Sequence, residues 1–282
     1  MTGFLEKLQN RFSTLGGSLC IGLDPDLEKL PQGFSRDAHG VEKFLEAIVD
    51  STQDFAAAYK PNLAFFEGLG SQGLQVFETL RARIPETIPV ILDAKRGDID
   101  SSSRHYAKAL FERWQADAVT VSPYMGWDSL EPFLAYAEKC VFILGLTSNP
   151  GRHDVQLLKL ADGRYVFQSV MQTFRAKPCQ AQRGWVIGAT LGDLTQAAFD
   201  ATGDDPVLVP GVGAQGGDLQ TVFSGARGKR PEHIVINAGR TILYAAHGSD
   251  FAEQARAAAE KQLREICTAL TNTQTKTRPV QH

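Results

Sequence analysis

Eight short apolar runs recur along the 282 residues, each followed by polar or glycine-rich residues and then by a helical pattern. They occupy 18–23, 57–60, 90–93 and 118–122 in the first half, and 140–146, 184–188, 206–210 and 233–237 in the second. Apolar residues within the runs are continuous rather than alternating, the pattern of strands covered on both faces in a parallel sheet. Between them, Val41, Phe44, Leu45, Ile48 and Val49 fall at helical spacing, as do Tyr106, Leu110, Phe111 and Trp114. A last helix is expected over about 250–270, with Phe251, Ala255, Ala258, Leu263, Ile266 and Leu270 on one side. Eight strand–helix repeats in a chain of this length predict an α/β fold, a single (β/α)8 or TIM barrel spanning 1–270. An open doubly wound sheet is the competing architecture. No linker rich in Pro, Gly and Ser divides the chain, and the polar, aperiodic segment 271–282 is expected to be a disordered tail.

The runs end alike. Asp24, Lys60, Asp93 with Lys95, Ser122, Thr147 with Ser148, Gln215, and Gly239 with Arg240 stand at the C-terminal sides of seven of the eight. A barrel gathers those ends on one face, where barrel enzymes place their active sites. One polar strand end would mean little, but seven in agreement predict a ligand site.

The densest of these ends is Asp93-Ala-Lys95-Arg-Gly-Asp98, which closes the apolar run Pro89-Val-Ile-Leu92. Alternation along a strand puts Asp93 and Lys95 on one face. Two charges at the end of a core strand are costly to desolvate, so a chain that keeps them there is expected to use them. Read alone, Lys60 is a lysine leaving the edge of a sheet. Joined to Asp93, Lys95 and Asp98, it completes an alternating set of two cations and two anions, each favouring the charged form of the next. Such a set suits a reaction that creates a carbanion and must quench it.

The glycine-rich segment Gly211-Val-Gly213-Ala-Gln215-Gly216-Gly217 matches the dinucleotide fingerprint in spacing. The fingerprint belongs to a first strand–helix unit and needs an acidic residue at the end of the next strand. Here the unit is nearly last, and the following run ends in Asn237. The better expectation is a loop whose N–H groups grip a phosphate at a helix N-terminus, with Arg240 adding a charge-assisted contact.

Bulk properties exclude several classes. A net charge of −3 argues against nucleic acid or an anionic membrane as an obligatory partner. No run approaches the roughly 18 apolar residues of a membrane span, and the N-terminal residues lack the features of a secretion signal. Cys20, Cys140, Cys179 and Cys267 form no CxxC pair, which fits a reduced, cytoplasmic compartment. The six histidines show no ligand spacing, and no metal site emerges.

In these residues the chain resembles the orotidine 5′-phosphate decarboxylase family, in particular its longer-chain subfamily. Asp93-Ala-Lys95-Arg-Gly-Asp98-Ile99 is similar to the family's Asp-x-Lys-x-x-Asp-Ile signature. Leu23-Asp24-Pro25, Lys60-Pro61-Asn62, Ser148-Asn-Pro-Gly151, Pro210-Gly-Val-Gly-Ala-Gln215-Gly-Gly and Asn237-Ala-Gly-Arg240 match further family segments in order. The resemblance implies cofactor-free, metal-free decarboxylation of orotidine 5′-phosphate to UMP, the last step of de novo pyrimidine synthesis. It implies that Lys95 protonates C6 of the pyrimidine, that Asp93 lies beside the departing carboxylate, and that Lys60 orients Asp93 and touches the ribose. Asp24 would bind the ribose, Ser148 the pyrimidine, and Gln215 with Arg240 the phosphate, with Gly239 also among the substrate-binding residues. Asp98 and Ile99 would reach into a neighbouring subunit's site, making a homodimer obligatory. The family's usual threonine three residues after the isoleucine is Ser102 here, which keeps the hydroxyl. Two other readings stay open: a metal-dependent sugar-phosphate synthase or epimerase of related barrel type, and an inactive nucleotide-binding barrel.

Overall fold

The apolar runs form eight parallel strands: β1 (Leu19–Leu23), β2 (Ala58–Pro61), β3 (Ile91–Arg96), β4 (Ala118–Val121), β5 (Cys140–Leu146), β6 (Gln182–Ile187), β7 (Val207–Pro210) and β8 (Ile234–Ala238). The structure is a computed structural model that describes residues 3–212 and 217–275. Hydrogen bonding runs in the order β2-β1-β8-β7-β6-β5-β4-β3. Parallel bridges from Tyr59 to Val90 and from Asn62 to Asp93 bring the two edge strands together. The sheet is therefore a barrel, not the open alternative.

Two apolar layers hold it. The outer one packs the strands against the surrounding helices, with Val41, Phe44, Leu45, Ile48 and Val49 of the helix Ala38–Thr52 all fully buried in it. The inner layer fills the barrel with Cys20, Ala57, Ala58, Ile91, Ala118, Cys140, Phe142, Val186, Leu208 and Val235. Phe4 and Leu8 join it from an N-terminal helix, Phe4–Leu15. The Phe4 ring meets Phe142 edge-on at 5.6 Å, and each of the two side chains contributes roughly 1.5–3 kcal/mol of burial. The helix is tethered by Lys7, whose ammonium lies 2.7 Å from the buried Asp117 carboxylate. Asp117 in turn accepts the Val90 N–H at the start of the third strand.

Two helices differ from the expected pattern. The helix Asp100–Lys108 widens into a π-helical turn at Ala109–Arg113, so the stripe does not continue at a fixed angle. Leu110 and Phe111 are buried, whereas Tyr106 is exposed, with the Arg96 guanidinium 5.0 Å above its ring. The last helix runs to Thr275 instead of ending near 270, so 271–275 is helical. Within that extension the Thr271 hydroxyl donates to the Cys267 carbonyl one turn back. Among the described residues, no helix is long and apolar enough to cross a membrane.

Candidate active site

Lys60 sits on β2, inside the mouth of the barrel and 3% exposed. Its ammonium donates to Asp93 Oδ2 at 2.9 Å. Asp93, on the neighbouring strand β3, receives the Lys95 ammonium on Oδ1 at 2.5 Å. The Thr120 hydroxyl of β4 also donates to Oδ1, at 2.9 Å, and accepts the Lys95 N–H at 3.0 Å. One carboxylate is thus held by two cations and a hydroxyl from three adjacent strands.

Alternation alone does not produce this arrangement. Lys95 has φ of 45°, and the pairing of β3 with β4 shifts register between Leu92 and Arg96. A non-glycine residue in the left-handed region is strained and persists where its surroundings over-determine it. Here the Thr120 hydrogen bond to the Lys95 N–H holds the bulge.

Burial alone would raise the Asp93 carboxyl, but Lys60 and Lys95 outweigh it and hold it far below the usual range. Burial likewise pulls the Lys60 ammonium down, and Asp93 with Asp24 overcome it and hold Lys60 above its ordinary value. Asp24 goes the other way. Burial raises its carboxyl, with Lys60 drawing it back and Asp93 pushing it further up. Its Oδ1 is buried without a hydrogen-bond partner.

A carboxyl with a raised folded-state value favours the fold when neutral. That contribution is present below the ordinary value of 3.8 and is lost as pH rises through the raised one. Asp24→Asn is therefore expected to raise Tm at pH 7 by about 1–3 °C. The gain should shrink to nothing towards about pH 3, where the native carboxyl is neutral as well. Thermal melts across that range decide it. A Tm for the variant below that of the native chain at pH 7 would show that Asp24 is not a strained carboxylate.

Around this array the chain makes room by omitting side chains. A Cβ on Gly22 would lie 3.2 Å from Gly239 Cα and 3.4 Å from Asn237 Oδ1. Asn237 Oδ1 is a second buried acceptor without a partner beside Asp24. On the opposite side, a Cβ on Gly188 would fall 2.8 Å from Ser148 N, so glycine at the end of β6 lets the half-buried Ser148 close in.

The other expected site residues are placed as follows. Arg240 begins the short helix Arg240–Leu243 after β8, exposed, and its guanidinium makes no hydrogen bond or ion pair among the described residues. Asp98 does not join the array within one chain. Its Oδ1 accepts the N–H of Ile99 at 2.8 Å, because the turn after the Lys95 bulge carries it away. Within one chain the structure brings together Lys60, Asp93 and Lys95 of the four charges. Ile99 is 53% exposed, and Ser102 is exposed on the first turn of the helix Asp100–Lys108.

Gln215 lies outside the described residues. The helix after β7, Leu219–Gly225, does not offer its N-terminus to an anion as expected. Asp218 caps it, accepting from the N–H groups of Gln220 and Thr221, so a carboxylate already occupies that end. The glycine loop is instead pinched at its neck by a bridge between Val212 and Gly217. Thr120 is not among the residues the sequence marks out, and Asn237 appears there only as the end of a run and the head of a matched segment, with no role of its own. Their signal is a polar residue inside, or closing, an otherwise apolar run.

A strongly ion-paired lysine–aspartate–lysine array at the C-terminal mouth of a parallel barrel stands where barrel enzymes place their active sites. The chain belongs to the orotidine 5′-phosphate decarboxylase / HUMPS family, whose model matches residues 17–257. It is 46% identical over 259 residues to the orotidine 5′-phosphate decarboxylase of Herpetosiphon aurantiacus, covering 91% of this chain and 95% of that one. The enzyme of the same name from Ralstonia pickettii is 45% identical over 257 residues, covering 90% and 94%. The solved structure of Leishmania donovani OMP decarboxylase superposes with a TM-score of 0.80 at 33% identity, covering 96% of this chain and 99% of that one.

Proposed function

We propose that this chain converts orotidine 5′-phosphate to UMP and carbon dioxide without cofactor or metal, and so completes pyrimidine nucleotide synthesis in the cytoplasm. The observation that carries the reading is the Lys60–Asp93–Lys95 array, with the Lys95 ammonium 2.5 Å from Asp93 and half-exposed toward the mouth. In the reaction the bond from C6 to the carboxylate carbon breaks and its electron pair stays on C6. The uracil ring offers that pair no electron sink. Lys95 supplies a charge aimed where negative charge develops, then transfers its proton to C6 and recovers one from solvent. Asp93, ionised by its two lysines, holds Lys95 and crowds the departing carboxylate. Lys60 fixes Asp93, and the unpartnered Asp24 and Asn237 oxygens are suited to accept ribose hydroxyls. Ser148 would meet the pyrimidine.

Loss of orotidine 5′-phosphate absorbance on addition of the purified protein in EDTA tests the reading. Turnover of a sugar phosphate that depends on a divalent metal would instead assign the chain to the synthase branch of the family. UMP binding without turnover would make it a silent barrel.

Arg240 is proposed as the phosphate's cation, together with Gln215 and the backbone near Gly239. A charge-assisted hydrogen bond is worth about 1.5–3 kcal/mol, so Arg240→Ala should raise KM by about 10- to 100-fold. Initial-rate kinetics over a wide substrate range check it, and an unchanged KM removes Arg240 from the site.

The working unit is proposed to be a homodimer. Asp98 has no cation in its own chain among the described residues, and Ile99 is exposed beside the mouth. Tyr124 and Met125, after the adjacent strand β4, are 81% and 48% exposed, which extends the same apolar edge.

A further inference from the structure

The segment that follows Ser148 departs from the barrel as a 3-10 turn, Pro150–Asp154, and returns through a short bridge between Lys159 and Tyr165 to the helix Val166–Arg175. Two of its side chains turn back to the strand end. The Gln156 carboxamide takes the Thr147 N–H on Oε1 at 2.8 Å and donates through Nε2 to the Thr147 hydroxyl at 2.9 Å. The Arg152 guanidinium donates to the Thr147 carbonyl at 3.5 Å and to the Thr190 carbonyl, beyond β6, at 3.1 Å. Both peptide planes flanking Thr147 are therefore gripped by side chains, one through its N–H and the other through its carbonyl. The second of these planes carries the Ser148 N–H. Gln156 is itself anchored, since its own carbonyl accepts the Phe167 N–H at 3.1 Å.

We infer that Gln156, with Arg152, is a positioning residue for Ser148: the excursion after β5 exists to fix the strand end that meets the pyrimidine. A strand end has no further ladder to hold it, and a polar contact misplaced by about an ångström loses much of its value. Gly188 closes the other side, 2.8 Å from the Ser148 nitrogen at its Cβ position, so Ser148 is confined between the Gln156 grip and β6. The inference rests on the reading of Ser148 as the pyrimidine contact.

A double-mutant cycle over Gln156→Ala and Ser148→Ala tests both. With Ser148 present, Gln156→Ala should lower kcat/KM for orotidine 5′-phosphate by about tenfold; with Ser148→Ala already in place, the further loss should be under about twofold. Binding of ribose 5-phosphate, which has no base, should be unchanged by Gln156→Ala. Gln156→Glu, whose carboxylate still accepts from the Thr147 N–H and hydroxyl, should restore most of the activity. Equal losses in both backgrounds, or weaker ribose 5-phosphate binding, would overturn the positioning role while leaving Ser148 in place. A silent Ser148→Ala would instead remove the base contact itself, and the inference with it. Wild-type protein that does not decarboxylate would refute the proposed function.

Discussion

Lys95→Ala is expected to lower kcat by about ten-thousand-fold, because it removes both the charge that answers the developing carbanion and the proton that quenches it. The fold should survive. The Lys95 side chain is 51% exposed, and Asp93 keeps Lys60 at 2.9 Å and the Thr120 hydroxyl at 2.9 Å. UMP binding and the melting curve then separate loss of chemistry from loss of structure. Lys95→Arg sharpens the test, since a guanidinium retains the charge but does not give up its proton. It should stay almost as inactive as the alanine variant. Turnover within about tenfold of wild type in Lys95→Ala would remove Lys95 as the proton donor.

Mixing two inactive variants should recover activity. Asp98→Asn and Lys95→Ala each disable every site of their own homodimers if Asp98 serves the opposite subunit. In a random mixture half of the dimers are hybrid, and each hybrid has one site with both lesions and one with neither. The expected recovery is about a quarter of wild-type activity. The structural motive is local. The Ser122 N–H donates to the Arg96 carbonyl at 2.8 Å, which holds the loops after β3 and β4 side by side. Asp98, Ile99, Tyr124 and Met125 thus form one rim. Labelled subunits show whether exchange has occurred. Exchange without recovery would leave Asp98 serving its own chain.

Much of the barrel is legible because parallel strands covered on both faces leave a one-dimensional trace. The run 140–146 coincides with β5, and the other seven overlap their strands. Strand ends are readable for the same reason, since a charge that follows a core run must emerge at the mouth. The conformation of Lys95 is not readable. Its left-handed turn depends on Thr120, a residue of the next strand, and alternation puts the two charges together for an incomplete reason. The same bulge turns Asp98 away from its own chain's array, a direction that alternation does not show. The cap of the helix after β7 is readable, because an aspartate directly before a helical pattern is a common start signal. The glycines preceding Asp218 draw attention away from this carboxylate, which fills the helix end by accepting from the Gln220 and Thr221 N–H groups. The N-terminal helix also has a trace, as Phe4, Leu8, Phe12 and Leu15 recur at helical spacing. Its docking into the barrel floor does not, because the partner Phe142 is distant in sequence.

That floor has a consequence for traffic. Among the described residues, Phe4 and Leu8 stop the lower end of the bore, 2% and 0% exposed. On the proposed reaction, gas freed next to Asp93 must slip out by the route its parent nucleotide took in. Water that recharges Lys95 arrives through that same gate. On that reaction the substrate, both products and the water that reprotonates Lys95 would share the one mouth that the strand ends form.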